Sequence, residues 1–362
     1  MIDLRAELER ITPDWLTGVL RHSGAVSGDT TVTGFDHTRI GTGKLGDIVR
    51  FDLRWSGDHG EPGSAPSSVV GKFASTDPTS RQAGLMTGIY VREIRFFQEL
   101  AGRVRMRIPQ CHFADIDMDT GAFAVIMEDV RPARQGNQVA ACSVDEAAVA
   151  MEQLALLHAG LWDAPDLDAH DWLTRRSADG GEALASIYGA LVSSFLTQYA
   201  DRLSDRAADA AERFTPKVAA WLCTDTAPLT LLHGDYRLEN MLFGDGPGAP
   251  PLTTVDWQTV SVGAGPSDAA YFLGAGLHTE DRRTHERELL EIYRSGLVAQ
   301  GVELAAEDCW SSYRVNAFAG LHMAVVASVL VGRSEAGDDM FLAMAERHAA
   351  HIEDLDSWAL LD

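Results

Sequence analysis

Three oxygen-bearing side chains stand at the ends of two apolar segments in the second half of the sequence. The segment Leu231–Phe243 reads LLHGDYRLENMLF and places Asp235 and Asn240 five residues apart. A second segment, Thr254–Gln258, reads TVDWQ and contains Asp256. Phosphoryl transfer from a nucleotide requires a carboxylate that orients a hydroxyl group, together with oxygen ligands that bind Mg²⁺. The spacing therefore predicts Asp235 as the catalytic carboxylate, Asn240 and Asp256 as metal ligands, and ATP and Mg²⁺ as cofactors.

Each of these residues also has a plainer interpretation, because Asp and Asn form turns and cap helices. Asp235 alone favours that interpretation, whereas the whole pattern H-G-D-x-x-x-x-N followed by V-D-W favours a catalytic site. In this pattern the chain resembles the aminoglycoside phosphotransferase and choline kinase branch of the protein-kinase-like superfamily. It is most similar to the ecdysteroid-kinase-like and acyl-CoA-dehydrogenase-associated phosphotransferases. The segments Leu154–Ala159 and Gly265–Leu273 also look like that branch.

The resemblance extends over residues 30–350 and implies a bilobal, protein-kinase-like α+β fold. Its small N-lobe, with an antiparallel sheet, is expected at residues 1–130, and its large, mainly helical C-lobe at 131–362. The length of 362 residues agrees, since it suggests two domains or two lobes. Within the C-lobe, the catalytic loop is expected at 233–240 and the helices that bind the substrate at 267–358.

The composition is strongly acidic, with 30 basic residues against 53 acidic ones and a formal net charge of −23. Such a chain repels nucleic acid and anionic membranes, so neither is expected as a partner. The four cysteines are widely spaced and form no C-x-x-C, which argues against a zinc site or a disulfide framework. Acidic residues near the N-terminus exclude an ordinary signal peptide, and no apolar run is expected to reach membrane-spanning length. The expected location is the cytoplasm.

A glycine-rich segment, Gly41–Gly46, matches the pattern G-x-G-x-x-G. A dinucleotide-binding site would need a helix directly after these glycines. Residues 48–55 instead alternate between apolar and polar side chains, which predicts a strand. The segment therefore joins two strands, either as an idle hairpin or, as in kinases, as a loop that covers the phosphates. The later motif favours the second interpretation, with Gly41, Gly43 and Gly46 next to the nucleotide.

A lysine occupies an apolar strand predicted at 68–73. The two-residue period of a strand places Val70 and Lys72 on one face, directed into a cleft. A lysine in such an apolar strand is costly unless it is paired. The predicted partner is Glu93, on a helix expected from Arg81 to about Leu100, and the family resemblance points to the same residue. The alternative is a solvated carboxylate on the helix surface.

The boundary between the lobes is expected near residue 130. The apolar strand Ala122–Met127 ends in Glu-Asp-Val, which predicts a hinge at 127–131. In the resembling family, backbone N–H and C=O groups of the hinge pair with adenine. Met127, Glu128 and Val130 are therefore predicted to bind the nucleotide through their backbone.

The C-terminal part of the chain is predicted to be mostly helical. Apolar spacing indicates helices within 182–223 and over 281–300, 307–330 and 335–358. His158 lies inside an earlier helix and could be taken for a catalytic base. Nothing near it in the sequence completes a site, so we predict a packed structural histidine.

Roles follow for the remaining residues of the motif. Arg237 is predicted to stabilise charge on the transferred phosphoryl group, with a structural salt bridge to a neighbouring carboxylate as the alternative. Lys72, held by Glu93, is predicted to contact the α- and β-phosphates. His233 and Asp268 are expected to brace the catalytic loop by hydrogen bonds.

Departures from the protein-kinase pattern indicate the acceptor. Trp257 and Gln258 replace the Phe and Gly of the D-F-G motif, and only twelve residues separate Asp256 from Asp268. No activation loop is visible there, which argues for a small-molecule kinase over a kinase of Ser and Thr in proteins. The acceptor is expected to be a hydroxylated, largely uncharged or acyl-bearing small molecule. An aminoglycoside-type antibiotic kinase and a nucleotide-binding pseudokinase are the alternatives.

Overall fold

The chain folds into two units. In this computed structural model, the described residues are 2–41, 46–56, 65–176, 181–226 and 228–362. The first unit contains residues 1–102, 108–131 and 256–259, and the second contains residues 103–107, 132–255 and 260–362.

The first unit is built on a five-stranded antiparallel sheet. The strands are β1 (Val32–Arg39), β2 (Gly46–Trp55), β3 (Ser68–Ala74), β4 (Cys111–Ile116) and β5 (Phe123–Glu128), in the order β1-β2-β3-β5-β4 across the sheet. The predicted alternation at 48–55 and the apolar strands at 68–73 and 122–127 correspond to β2, β3 and β5. The strand β4 was not predicted, because its side chains are mostly half-buried and show no clear period.

The prediction of one continuous helix from Arg81 to Leu100 is wrong. The structure has α2 (Pro78–Met86) and α3 (Ile89–Arg95), followed by a π-helical turn at Phe96–Leu100. Gly88 separates α2 from α3 with a φ of 71°, a left-handed conformation that ends a helix and suits glycine. The shorter α3 nevertheless carries Glu93.

The core of the first unit lies between its sheet and α1 (Pro13–His22). Thr12 caps this helix, since its hydroxyl accepts a hydrogen bond from the Trp15 backbone N–H at 3.3 Å. Leu16 of α1 and Phe51 of β2 are fully buried in this core. The packing fixes β2 and β3 from one side.

The second unit is mainly helical and contains two small three-stranded sheets, with strand orders β10-β9-β6 and β7-β11-β8. Together with the antiparallel sheet of the first unit, it confirms the predicted mixture of α and β structure. Its helices are α4 (Val144–Ala159), α5 (Gly181–Tyr199), α6 (Asp205–Phe214), α7 (Val218–Leu222), α8 (Pro266–Gly276), α9 (Thr279–Ala299), α10 (Ala306–Val315), α11 (Phe318–Leu330) and α12 (Glu335–Asp354). Its strands are β6 (Ala133–Gln135), β7 (Thr174–Arg175), β8 (Thr230–Leu232), β9 (Met241–Gly244), β10 (Leu252–Thr254) and β11 (Ser261–Gly263).

The helix predicted over 307–330 is two helices, α10 and α11, separated at Asn316. The Asn316 side-chain amide donates to the Ser312 carbonyl at 2.9 Å and accepts from Arg176 at 2.7 Å. A side chain that bonds the preceding turn in this way competes with helix continuation. The helix predicted over 335–358 likewise ends early, at Asp354.

By length and composition, residues 306–330 could cross a membrane, with a mean hydropathy of 1.3. The expectation that no apolar run reaches this length is therefore wrong by that criterion. Half of an 18-residue window within this stretch, 50%, is buried inside the protein, and Asn316 interrupts the stretch. It is weak support for a membrane span, because core helices have the same length and composition.

A histidine fills a space left by two glycines in the second unit. His348 of α12 is fully buried, and Gly274 of α8 and Gly320 of α11 lie against its imidazole ring. A Cβ atom on either glycine would overlap that ring. The two helices can therefore approach α12 only because both positions lack a side chain.

Candidate active site

In the first unit, a lysine and two carboxylates form one cluster. The Lys72 Nζ lies 2.8 Å from Glu93 Oε2 and 2.9 Å from Asp256 Oδ1. Lys72 is 7% exposed and Glu93 only 1%, so the pair predicted between them is confirmed and a solvated Glu93 is excluded. Burial lowers the pKa of Lys72, but the carboxylates of Asp256 and Glu93 outweigh burial and raise it. Lys72 is therefore charged at neutral pH.

Asp256 is held in place by the residues that follow it. Its φ of 69° is left-handed, a conformation that Asp tolerates better than most residues. Its Oδ2 accepts from the Gln258 amide at 3.3 Å, and the Gln258 carbonyl accepts from Arg92 Nε at 3.0 Å. Trp257 is fully buried and stacks on Phe96 with ring centroids 4.1 Å apart. These contacts fix the segment after Asp256 onto the end of α3.

Two of the three predicted loop glycines can be placed. Gly41 has a φ of 72°, which requires glycine or a strained side chain. Gly46 opens β2 against β3, where a Cβ atom would meet the Phe73 carbonyl oxygen at 3.0 Å and the Lys72 side chain at 3.7 Å. Gly43 lies outside the described residues. The end of the glycine segment is thus next to Lys72.

The predicted adenine-binding residues lie on two paired strands. Val70 of β3 is half-buried and is directly opposite Met127 of β5. The Glu128 N–H donates to the Gln110 carbonyl at 2.9 Å, so this hinge donor is used within the first unit. Val130 follows β5 and is half-buried. The structure therefore brings Val70 and Met127 together and gives the Glu128 N–H a partner that the sequence did not predict.

Asp129, between these residues, is a functional candidate that sequence reasoning missed. Its carboxylate is buried and accepts from Arg50 Nε at 2.8 Å, from Ser68 Oγ at 2.7 Å and from Arg131 Nε at 2.7 Å. Three donors on one buried carboxylate hold residues 129–131 firmly. The only sequence signal was an acidic residue in the predicted hinge.

In the second unit, three side chains meet at the Asp235 carboxylate. Its Oδ1 accepts from the Tyr271 hydroxyl at 2.7 Å, and its Oδ2 accepts from the Asn240 side-chain amide at 2.9 Å. Arg237 Nε lies 2.9 Å from both oxygens. Burial raises the pKa of Asp235, but the Arg237 guanidinium and the Tyr271 hydroxyl outweigh burial and lower it below 3.8. The structure thus joins Asp235, Arg237 and Asn240, as predicted, and adds Tyr271.

The loop that carries Asp235 is anchored by Asp268, in the first turn of α8. The Asp268 carboxylate accepts from the backbone N–H of His233 at 2.7 Å and from that of Gly234 at 3.1 Å. The His233 ring bonds the Val255 carbonyl at 3.1 Å. The bracing predicted for His233 and Asp268 is therefore confirmed. Gly234 has a φ of 79°, which allows the sharp turn after β8.

Arg237 and Asn240 each have a second contact. Arg237 donates to Glu239 Oε2 at 2.9 Å as well as to Asp235, so the alternative predicted for it, a structural salt bridge to a neighbouring carboxylate, is present. Its role towards a phosphoryl group stays a prediction. The Asn240 amide nitrogen donates to the Asp235 backbone carbonyl as well as to its carboxylate. The amide oxygen of Asn240 is consequently the atom directed elsewhere, and it is the atom that a metal would use.

His158 is a packed structural residue, as predicted. It is fully buried, with its Nδ1 2.8 Å from the Tyr293 hydroxyl and its Nε2 3.4 Å from Asp268 Oδ2. Tyr271, in contrast, was missed. The segment Gly265–Leu273 was part of the family resemblance, but its sequence does not predict that Tyr271 contacts Asp235. That contact depends on how α8 packs.

Oxygen donors suited to a hard cation are present in both units. Asn240 has a free amide oxygen, and Asp256 has a carboxylate that is partly exposed. Among the described residues there is no group of three or more His, Cys, Asp and Glu side chains that could hold a metal. Mg²⁺ does not require such a group, since it usually takes one or two carboxylates and completes its shell with phosphates and waters. Each of these oxygen donors, taken within its own unit, is of the kind that Mg²⁺ prefers.

Two cavities formed by described residues are lined by neither Lys72 nor Asp235. A cavity of about 570 Å³ in the second unit is lined by Trp162, Asp163 and Gln300 among others, and none of the predicted site residues lines it. A cavity of about 340 Å³ in the first unit is lined in part by Glu128 and Asp129. The hydrogen-bonded clusters at Lys72 and Asp235 define the candidate site, because their chemistry is specific.

The five-stranded sheet with its buried lysine–glutamate pair, and the helical unit with its anchored H-G-D loop, define a kinase-like protein. The model of the ecdysteroid kinase-like family matches residues 59–305, and the chain belongs to that family. No curated protein matches the sequence.

Solved structures share the fold over nearly the whole chain. Choline kinase from Cryptosporidium parvum Iowa II has a TM-score of 0.55 at 9% identity, covering 95% of each chain. A predicted aminoglycoside phosphotransferase from Ralstonia eutropha JMP134 has a TM-score of 0.51 at 16% identity, covering 94% of this chain and 97% of its own. Macrolide 2'-phosphotransferase from Brachybacterium faecium has a TM-score of 0.50 at 15% identity, covering 91% and 98%. At these identities the likeness shows the fold alone, and it confirms the predicted kinase-like α+β fold.

Proposed function

We propose that the protein is a phosphotransferase that transfers the γ-phosphate of ATP to a hydroxyl group of a small molecule. The observation that carries the proposal is the Asp235 carboxylate, which Arg237, Asn240 and Tyr271 hold on an anchored loop. An anionic carboxylate fixed in this way can orient a hydroxyl group for in-line attack on a phosphoryl group. Family membership supports the same class of reaction.

Asp235 accepts the hydrogen bond of the acceptor hydroxyl and takes its proton as the new bond to phosphorus forms. Arg237 offers guanidinium N–H groups to the charge that develops on the transferred group. Lys72, kept charged and oriented by Glu93, binds the α- and β-phosphates. Asn240 and Asp256 would hold Mg²⁺, which supplies charge neutralisation on the phosphates when it is bound.

The pairing of acidic side chains in the second unit supports one class of acceptor. An aminoglycoside needs several free carboxylates for its ammonium groups, but acidic side chains on α9 and α12 pair with arginines. Glu286 lies 3.1 Å from Arg282, and Asp338 lies 2.7 Å from Arg333. Gln258 also replaces a carboxylate that many aminoglycoside kinases have. We therefore propose a hydroxylated, largely uncharged or acyl-bearing acceptor.

One assay tests the function and the acceptor together. ADP release from MgATP is measured with kanamycin, choline, hydroxyacyl thioesters and sterol-like alcohols as acceptors. Acceptor-dependent release is expected with an uncharged or acyl-bearing alcohol and not with kanamycin. Asp235→Asn should abolish it, whereas Asp245→Asn, an exposed residue after β9, is the matched control and should not.

The outcomes separate the alternatives. Efficient turnover of kanamycin would overturn the acceptor class while the kinase assignment stands. Binding of MgATP without turnover of any acceptor would favour a pseudokinase, and transfer of labelled phosphate to proteins would reveal a protein kinase. The intact set of Lys72, Asp235, Asn240 and Asp256 counts against a pseudokinase.

A further inference from the structure

The Asp235 carboxylate has no free direction in which to accept another hydrogen bond. An ionised carboxylate offers about four acceptor directions, two on each oxygen. Tyr271 donates to Oδ1 and Asn240 donates to Oδ2, at 2.7 and 2.9 Å. The single Nε–H of Arg237 lies 2.9 Å from both oxygens and is shared between them, so it covers the remaining direction on each. A hydroxyl group that is to be phosphorylated must donate to this same carboxylate. One of the three donors therefore has to give way.

Tyr271 is the donor that can give way most easily. Arg237 is a cation between Asp235 and Glu239, so its removal would separate opposite charges that are partly buried. Asn240 is held by two hydrogen bonds to Asp235, one to the carboxylate and one to the backbone carbonyl. Tyr271 makes one bond from a neutral hydroxyl, the same kind of bond that an alcohol makes. An incoming alcohol can donate to Asp235 and accept from Tyr271, so no buried group loses its partner.

The position of Tyr271 is fixed by the fold. It lies on α8, a helix whose residues are all buried. Asp268, one turn earlier on the same helix, holds the backbone N–H groups of His233 and Gly234. The helix thus anchors the catalytic loop at its backbone through Asp268 and at its carboxylate through Tyr271. This packing holds the hydroxyl on Asp235 while no acceptor is bound, and an acceptor has to displace it.

We propose that the Tyr271 hydroxyl occupies the place on Asp235 that an acceptor hydroxyl takes during the reaction, and that it thereby suppresses hydrolysis of ATP while no acceptor is bound. The inference rests on the proposed function. In the suppressed reaction, a water oxygen forms a bond to the γ-phosphorus, the bond from that phosphorus to the bridging oxygen of ADP breaks, and a water proton passes to Asp235. Tyr271 is a positioning residue and does not take part in these bond changes.

An acceptor alcohol can enter where water does not because it binds through its other atoms. Those contacts contribute free energy that a single water molecule lacks, and binding energy from remote parts of a substrate can drive rearrangement at the reacting centre. Without the Tyr271 hydroxyl, one acceptor direction of Asp235 becomes free, and water is the group that fills it.

The test needs no acceptor. Release of ADP and phosphate from MgATP is measured for the full chain and for Tyr271→Phe, with Tyr199→Phe as the matched control. Tyr199 is a buried tyrosine that also donates to an aspartate, Asp338 Oδ1 at 2.9 Å, and it lies outside the catalytic loop. Tyr271→Phe is expected to raise acceptor-free release by about tenfold, the factor that corresponds to one lost hydrogen bond to a charged group. Tyr199→Phe is expected to leave it unchanged.

Two further variants show that the effect passes through the hydroxyl donor and Asp235. Tyr271→Gln, whose amide can donate to Asp235, should return release towards the level of the unmodified chain. The double variant Tyr271→Phe/Asp235→Asn should abolish the added release. If Tyr271→Phe loses its cooperative thermal transition, Tyr271→Leu takes its place as the variant without a donor.

Unchanged or lower acceptor-free release in the variant without a donor, with MgATP still raising its melting temperature, would overturn the inference. An equal rise in Tyr199→Phe would also overturn it. A different result, in which MgATP shifts the melting temperature of neither the unmodified chain nor any variant, would overturn the proposed function itself and the inference with it.

Discussion

Replacing Lys72 by methionine would test the buried charge cluster of the first unit. Methionine keeps most of the volume but removes the ammonium group that lies 2.8 Å from Glu93 and 2.9 Å from Asp256. Glu93, 1% exposed, would then be a buried carboxylate without a counter-charge. Breaking a buried pair by removing one partner costs about 3–5 kcal/mol. Asp256 is partly exposed and can be hydrated, so we expect a value near the lower limit, about 3 kcal/mol.

The lower stability of Lys72→Met should appear as a lower melting temperature for the unfolding of the first unit. For a unit of this size, about 3 kcal/mol corresponds to a decrease of roughly 10 °C. The double variant Lys72→Met/Glu93→Met should recover much of the loss, because replacing both members of a buried pair by apolar groups is close to neutral. Arg95→Met is the control. It breaks the exposed pair with Glu99 on the same stretch of helix and should cost no more than about 1 kcal/mol.

The reasoning would be refuted if the stability losses of Lys72→Met and Glu93→Met simply added in the double variant. If the double variant is as unstable as the sum of the two single variants, Lys72 and Glu93 do not compensate each other's charge. Equal losses in Lys72→Met and Arg95→Met would also contradict it, since the argument depends on the difference in burial.

Three further predictions concern catalysis, metal binding and pH. Asp235→Asn should leave MgATP binding nearly intact but reduce turnover of the best acceptor by about 10²–10⁴-fold, because it removes the group that orients the nucleophile; near-normal turnover would exclude Asp235 as that group. Asp256→Ala should abolish the Mg²⁺-dependent part of the thermal shift with ATP, and an unchanged Mg²⁺-dependent shift would exclude a direct role in metal binding. Burial and the Arg176 guanidinium lower the pKa of His322 from 6.5 to about 4, so its contribution to stability is complete above pH 6.5 and is lost as the pH falls towards 4. Between pH 7 and pH 5, the free energy of unfolding of His322→Gln should therefore fall by about 2 kcal/mol less than that of the unmodified chain. Urea unfolding at the two pH values measures this, with the exposed His22→Gln as control, and equal pH dependence in both variants would contradict it.

The pairing of Lys72 with Glu93 was predictable because the reason for it is local. A lysine in an apolar strand needs a counter-charge, and the next helix of the chain offers one at the edge of its apolar stripe. The third member, Asp256, is 184 residues away from Lys72, and no sequence period reports a contact over that distance. The motif predicted Asp256 as a metal ligand but not as a partner of Lys72.

The contacts around Asp235 also include local ones, which the sequence predicts, and a distant one, which it does not. Arg237 and Asn240 lie within five residues of Asp235, and the motif brings them together. Tyr271 reaches the same carboxylate from α8, which requires tertiary packing that the sequence pattern does not contain. The breaks at Gly88 and Asn316 were missed for another reason, since the apolar spacing continues across both and only backbone conformation and a side-chain hydrogen bond interrupt the helices.

The packing of His348 between Gly274 and Gly320 has a consequence for the evolution of this fold. Neither glycine can acquire a side chain while the imidazole is present, because the new Cβ atom would overlap the ring. Once His348 is replaced by a small residue, Gly320 is released, and alanine there would fill space and favour the helix. Gly274 stays constrained, because its Cβ atom would still lie 2.7 Å from His351 Nδ1. His348 and Gly320 are therefore expected to vary together among homologues, as one compatible pair with histidine and another without it. A single substitution in either pair would be selected against, although each position taken alone is an ordinary site on a buried helix.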